Sequence, residues 1–531
     1  MRPAFRQVSC ERERNGVTFG IFRPRPKKKC PPPRRREKLL LKEIVERYKR
    51  RTVIKSLGYA AIGAALGADR GLSRAIFSAG HEFVSKRPAI GQRKFVSEAV
   101  EAKIVEVRSA IADPELAWLF ENCFPNTLDT TVTFSTHESR PDTYVITGDI
   151  NAMWLRDSTA QVAPYLPLAR EDRKLKDMIA GVINRQTRCI LIDPYANSFD
   201  FGAKACPWGE NDKPPIRAEL CERKWEIDSL CYPVRLAHAY WKTTGDASCF
   251  HADWQQAIRR TVQTFREQQR KKDAGPYSFL RTTDNPIDTA PFGGRGNPTK
   301  SVGLIHSAFR PSDDACIYPF LIPSNFFAVV ALNQLADIFS VELSNKSFAR
   351  ECQDLAHEVT AALAAYGKAR HAKHNSIYAY EVDGFGNQLF MDDANAPSLL
   401  SLPYFGCCAP DDATYLNTRA FVLSEDNPYF FRGRAGEGIG GPHVGLNMIW
   451  PLGIIMRGLT SRDDREILSC LRMLKTTHAE TGFMHESFER DDPKKFTRSW
   501  FAWANTLFGE LVLKVHSERP QLLRQTWNRV A

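Results

Sequence analysis

From about residue 95 to the C-terminus, apolar residues recur at intervals of three and four. That spacing places them on one face of a helix and constrains the fold more than any other feature of the chain. In "LKDMIAGVINRQTRCILID", Leu175, Met178, Ile179, Val182, Ile183 and Ile190 share such a face. The same spacing recurs over Val234–Trp241, Trp254–Phe265, Phe326–Phe339, Phe348–Leu363, Ile467–Leu474 and Phe501–Val515. Alternating strand patterns are short, as at Thr130–Phe134 and Tyr378–Val382. The helices come in pairs. One member follows a short turn such as "TTGDASCFHADW"; the other follows a long loop rich in Gly, Pro, Asp and aromatic residues. Six such loops precede helices near residues 158, 230, 324, 396, 443 and 500. The pattern predicts an all-α, (α/α)6 barrel of paired helices with all six loops at one end. A helical repeat array is the competitor, but no sequence repeat is visible.

Composition excludes one class of function. The 531 residues carry a formal charge of +12, but residues 1–55 hold 19 Lys and Arg against five acids, so the remaining 476 residues are net −2. The body therefore has no basic field for a nucleic acid, and no nucleic-acid partner is expected. Residues 1–49, with "PRPKKKCPPPRRR", read as a basic, disordered leader. Residues 50–68 pair Arg50–Arg51 with an Ala- and Gly-rich run, Ser56–Ala68, which resembles a twin-arginine export signal. A short buried or interfacial helix is the alternative. The run is about thirteen residues, short of the roughly 20 that a spanning helix needs, so no stable membrane span is expected. A single catalytic domain is expected over 90–531, in the periplasm or outside the cell. Of the 13 cysteines none forms a CxxC pair. Most read as buried thiols, with one or two disulfides open to an exported chain.

The loops carry the chemistry. The first, "GDINAMWLRDST", places Asp149, Trp154, Arg156 and Asp157 within nine residues. Charged side chains avoid burial unless paired, although Asp157 or Ser158 could simply cap the next helix. The second, "CERKWEIDSLCYPVRL", offers Asp228, again with a capping alternative. The third, "HSAFRPSDDACIYPFLIPSN", holds adjacent Asp313 and Asp314. Two carboxylates close together in a dry cleft do not both ionise cheaply, so one should carry a raised pKa, as a general acid requires. An exposed loop with an N-cap is its bland reading. The fourth, "LFMDDANAPSLLSLPYFG", contributes Asp393, with ligand contact and capping evenly matched. The fifth, "FRGRAGEGIGGPHVGLNMIWP", sets Glu437 and His443 about a glycine run that lacks the Lys-Ser/Thr ending of a phosphate loop. The sixth holds His485 and Glu486 in "MHESF"; Glu489 stands where a zinc-binding HExxH needs its second His.

Carboxylates, Arg, His and rings on six loops describe a carbohydrate site. Glycosidic cleavage needs one acid for the leaving oxygen and one carboxylate to activate water or attack. No nucleophilic Ser or Cys motif, dinucleotide fingerprint or metal spacing competes. No cofactor and no metal is expected.

The blocks "GDINAMWLRDSTAQVAPY", "KWEIDSLCYP", "FRPSDDACIYPFLIPSN", "MDDANAPSLLSLPYFG", "GEGIGGPHVG…IWP" and "MHESF" resemble the signature blocks of glycoside hydrolase family 125, over about residues 90–518. The resemblance implies an (α/α)6 barrel and an exo-acting, inverting α-mannosidase for α-1,6-linked mannose, without a metal requirement. Its partner would be a mannose-containing oligosaccharide or N-glycan. By position it implies a general acid in the Asp313–Asp314 pair, with Asp313 preferred, and Glu486 as general base. Asp149, Trp154, Arg156, Asp157, Asp228, Asp314, Asp393, Glu437, His443 and His485 would then bind substrate. Two alternatives remain: a different inverting (α/α)6 glycosidase or a phosphorylase, for which His485 and Arg498 are the nearby cations, and a non-catalytic carbohydrate-binding protein.

Overall fold

The computed structural model describes residues 83–526; the leader and the twin-arginine segment lie outside the described residues. The fold is an (α/α)6 barrel. Its helices are α1 (Glu98–Ala110), α2 (Pro114–Cys123), α3 (Leu155–Val162), α4 (Arg173–Ile192), α5 (Ile227–Thr244), α6 (Ala252–Gln268), α7 (Ile322–Asp337), α8 (Lys346–Tyr366), α9 (Ala413–Val422), α10 (Pro451–Thr460), α11 (Asp464–Thr476) and α12 (Ala502–Glu518). The predicted amphipathic faces are the ones buried: α4 hides Leu175, Met178, Ile179, Val182, Ile183 and Ile190.

The inner helices α3, α5, α7, α10 and α12 each follow a rich loop. α3 is buried along its whole length, as an inner position requires. The sixth inner position differs from expectation. Residues 399–406, after the fourth loop, form successive turns rather than a helix. Pro397 and Pro403 remove backbone donors there, and Gly406 adopts φ 74°. The outer helices are anchored conventionally. Ser97, Asp172, His251, Asn345, Asp412 and Asp463 each accept a first-turn N–H at the start of α1, α4, α6, α8, α9 and α11.

Small antiparallel sheets tie the loops together. Met153–Trp154 pairs with Ser198–Phe199, which pairs with Leu220–Glu222. Met448–Ile449 pairs with Ser487–Glu489, joining the fifth loop to the sixth. The Tyr378–Val382 pattern divides between two strands, Asn375–Tyr378 and Glu381–Val382. Among the described residues one segment, Ile322–Glu342, is long and apolar enough to cross a membrane, and over half of its apolar window is buried inside the barrel.

Candidate active site

A cleft of about 360 Å³ lies where the inner helices begin, and the starting residues of three of them, Trp154, Trp450 and Phe501, line it. A larger depression of about 820 Å³ elsewhere has no Trp, Tyr or Phe in its walls and none of the sequence-identified site residues. The chemistry therefore belongs to the smaller cleft.

Arg156, in the first turn of α3, is the centre of the charge arrangement. Its guanidinium meets Glu226 at 2.7 Å, Asp228 at 3.1 Å, Asp313 at 3.5 Å and Asp157 at 3.6 Å. Burial alone would lower its pKa, but these carboxylates raise it well above the usual value, so it stays charged. Asp157 accepts a hydrogen bond from Thr147 at 2.7 Å, and burial raises its pKa. Neither Asp157 nor Asp228 caps a helix: the N-cap positions are Trp154 and Glu226, and both acids sit within the first turn.

Asp313 takes φ 66°, a left-handed conformation uncommon for Asp and of a kind often held in place at functional sites. It takes different partners from Asp314. Asn197 Nδ2 donates to Asp313 Oδ1 at 2.9 Å and also reaches Glu226 Oε1 at 3.4 Å, so one amide bridges two carboxylates. Asp314 instead meets His443 Nδ1 at 2.9 Å. Against the raised pKa expected within the Asp313–Asp314 pair, Asp313 is lowered, and the raised carboxyl beside it is Glu226. Burial favours neutral Asp313, but Arg156 and Lys224, with a hydrogen bond from Glu226, hold it down to about 2. Burial raises Glu226 well above the usual range, Arg156 only partly opposes that, and ionised Asp313 adds to it. Of the two carboxyls, Glu226 is thus the one that burial drives toward the neutral form.

Lys224 supports the same corner. Its Nζ donates to Asp288 at 2.6 Å and to the Asp313 carbonyl at 2.9 Å. On the sixth loop, Glu486 meets Arg498 Nη1 at 3.3 Å, and Arg498 also pairs with Asp149. Gly148 enables this approach. It has φ 126°, a backbone conformation that residues with a Cβ rarely adopt. Burial opposes charge on His443, but its hydrogen bond to Asp314 and the nearby Asp313 and Glu486 raise it to about 9. This imidazolium therefore feels both carboxylates of interest.

Seven sequence-identified residues line the cleft: Asp313, Glu486, Trp154, Arg156, Asp157, Asp314 and His443. Five do not. Asp228 is fully buried behind Arg156. Asp149 stands one shell out, as the partner of Arg498. Asp393 is buried against its own loop, accepting from the Asn395 N–H at 2.9 Å, and the approach of Gly441 leaves no room for a Cβ. Glu437 belongs to a separate ion pair set, meeting Arg432 at 2.7 Å and Arg457 at 2.8 Å. His485 is buried and stacked on Phe496 with ring centres 3.9 Å apart; burial lowers its pKa. Sequence reasoning missed Glu226, Lys224 and Asn197. It also missed Glu222, Arg281, Asp288 and Trp208, which line the same cleft.

The remaining capacity of the cleft is polar. Trp154 Nε1, Trp450 Nε1, Ser312 Oγ and Asp314 Oδ2 are buried on lining residues and have no protein hydrogen-bond partner. Buried polar atoms are normally satisfied, so a ligand with several hydroxyls suits them. Among the described residues no group of three or more His, Cys, Asp or Glu is placed to hold a metal ion.

Comparison with known proteins agrees with this geometry. Residues 113–513 match the family model for metal-independent α-mannosidases, glycoside hydrolase family 125. The meiotically up-regulated gene 157 protein of Schizosaccharomyces pombe is 43% identical over 458 residues, 83% of this chain and 90% of its own length. A solved metal-independent α-mannosidase of Streptococcus pneumoniae, in a non-productive complex with α-1,6-mannobiose, superposes with a TM-score of 0.77. It is 42% identical and covers 80% of this chain and 100% of its own. The chain belongs to glycoside hydrolase family 125, the metal-independent α-mannosidases.

Proposed function

We propose that this glycoside hydrolase removes non-reducing terminal mannose from α-1,6-linked mannosides, including N-glycans, with inversion. The observation that carries the reading is the pairing of two environments in one cleft. Asp313 and Glu226 are bridged by the Asn197 amide, while Glu486 stands on another loop beside Arg498. Asp313 reaches the cleft and Glu226, fully buried, does not. Asp313 is therefore the general acid, and Glu226 holds the proton it delivers. As the C–O bond breaks, the glycosidic oxygen takes the proton from Asp313. Glu486 removes a proton from water attacking the opposite face of the anomeric carbon. Room for that water requires carboxyl groups about 6.5–9.5 Å apart. Arg156 stays paired throughout and fixes both Asp313 and Asp157. Asp157, Asp314, Trp154 and Trp450 hold the terminal mannose.

The linkage preference is supported by the α-1,6-mannobiose complex of the Streptococcus pneumoniae relative. Release of mannose from α-1,6-, α-1,3- and α-1,2-mannobiose tests it directly. Turnover of the 1,6 dimer alone is expected; equal turnover of all three overturns the assignment. We place the domain in the periplasm or outside the cell. The Arg50–Arg51 leader supports export, and so does the Cys206–Cys221 disulfide, a bond suited to an oxidising compartment. N-terminal sequencing of the mature protein checks this, with cleavage near Ala65–Ala68 expected.

A further inference from the structure

The rings that line the cleft fall into two classes. Trp154, Trp450 and Trp503 are 6%, 2% and 3% exposed, whereas Trp208 is 44% exposed. In a site entered from one end, the exposed ring stands at the mouth. Its connections show which side of the scissile bond it serves. Trp208 Nε1 donates to Glu222 Oε1 at 2.8 Å, and the same oxygen accepts from Arg281 at 2.8 Å. Arg281 reaches Asp288 at 3.2 Å, and Asp288 accepts from Lys224, whose ammonium also holds the Asp313 carbonyl. Trp208 is therefore bonded through to the proposed acid, and none of these links leads to Glu486 and Arg498. The acid faces the leaving oxygen, so this wall is the leaving-group side.

The loop that carries Trp208 is fixed at several points. The Cys206–Cys221 disulfide closes it, with Cα atoms 5.3 Å apart, and packs with Ala152 and Trp154. Asp212 of the same loop grips Arg281 through both oxygens, at 2.8 and 2.7 Å. A half-exposed Trp on a stapled loop is unusual if it contacts only solvent. A 1,6-linked leaving sugar has one more rotatable bond than other linkages, so ordering it costs more conformational entropy. A rigid aromatic face that takes the C–H side of the ring offsets that cost with few degrees of freedom of its own.

We propose that Trp208 is the stacking platform for the sugar on the leaving-group side, and that the Cys206–Cys221 loop holds it in place. This rests on the mannosidase reading with Asp313 as acid. The test uses two substrates: α-1,6-mannobiose, which fills the leaving-group side, and α-mannosyl fluoride, which has no leaving sugar. The readout is the ratio of their kcat/KM values. Trp208→Ala should lower that ratio on the order of ten-fold, mainly through KM for the dimer. Trp208→Phe, which keeps a ring face and loses the indole N–H, should recover most of it. The double variant Cys206→Ser, Cys221→Ser should lower the ratio in the same direction. A Trp208→Ala ratio equal to wild type overturns the platform; an unchanged double-variant ratio overturns the role of the disulfide. A wild type that hydrolyses neither substrate would remove the mannosidase reading itself, a distinct failure.

Discussion

The outer and inner helices of the barrel begin differently. Six outer helices start on Ser, Asp, Asn or His side chains that accept a first-turn N–H. The inner helices start on Trp154, Glu226, Leu321, Trp450 and Phe501, none with a side-chain cap. Each omitted cap forgoes about 1 kcal/mol. Trp154, Trp450 and Phe501 instead line the cleft, and Glu226 holds the charge of Arg156 behind it. First-turn acids Asp157 and Asp228 also sit where the helix dipole favours negative charge. The same position in the helix thus serves stability in one ring and chemistry in the other.

The largest effects should come from breaking the inner ring. Asp313→Asn and Glu486→Gln are each expected to lower kcat by at least about 10³-fold, the scale of lost acid or base catalysis, with the thermal melt little changed. Activity lost in Asp314→Asn but kept in Asp313→Asn would move the acid by one residue. Glu226→Gln should cost about 100-fold in kcat while substrate still binds. Arg156 and Lys224 would hold Asp313 ionised without its proton source, so the residual kcat/KM should rise toward acid pH. An unshifted profile would leave Glu226 a purely structural partner of Arg156. Asp157→Ala should chiefly raise KM.

The His443–Asp314 pair gives a smaller effect, read by pH. His443 is raised from about 6.5 to about 9, so its folded state binds the proton more tightly than the unfolded chain. The stability it adds is fully present below pH about 6.5 and is lost as pH rises through about 9. Thermal melts of wild type and His443→Asn should converge across that window; a constant gap would contradict the pairing. The outer ring supplies the smallest change. Asp412→Ala removes the bond to the Tyr415 N–H and should cost about 1 kcal/mol in denaturant while kcat/KM stays within about two-fold.

Much of this was legible in the sequence because amphipathic spacing reports burial directly. The face of α4 was readable residue by residue, and so were the loops that precede inner helices. The turns at 399–406 were not, since apolar Leu399, Leu400 and Leu402 have helical spacing whether or not Pro397 and Pro403 permit a helix. Within the site, acids beside rings were readable, but partners were not. Glu437 and His485 look like Glu486 in sequence; only Arg457 in one case and Phe496 in the other remove them from the cleft. Glu226 was hidden by Asp228, two residues on and equally acidic. Arg281 and Asp288 come from a stretch with no periodicity, so nothing local marked them.

The central claim is that Asp313 and Glu486 act on opposite sides of one anomeric carbon. Proton NMR of α-1,6-mannobiose during the first minutes of turnover tests it most directly. Release of β-mannose, mutarotating later to the α form, is the result the account predicts. Early α-mannose would contradict it.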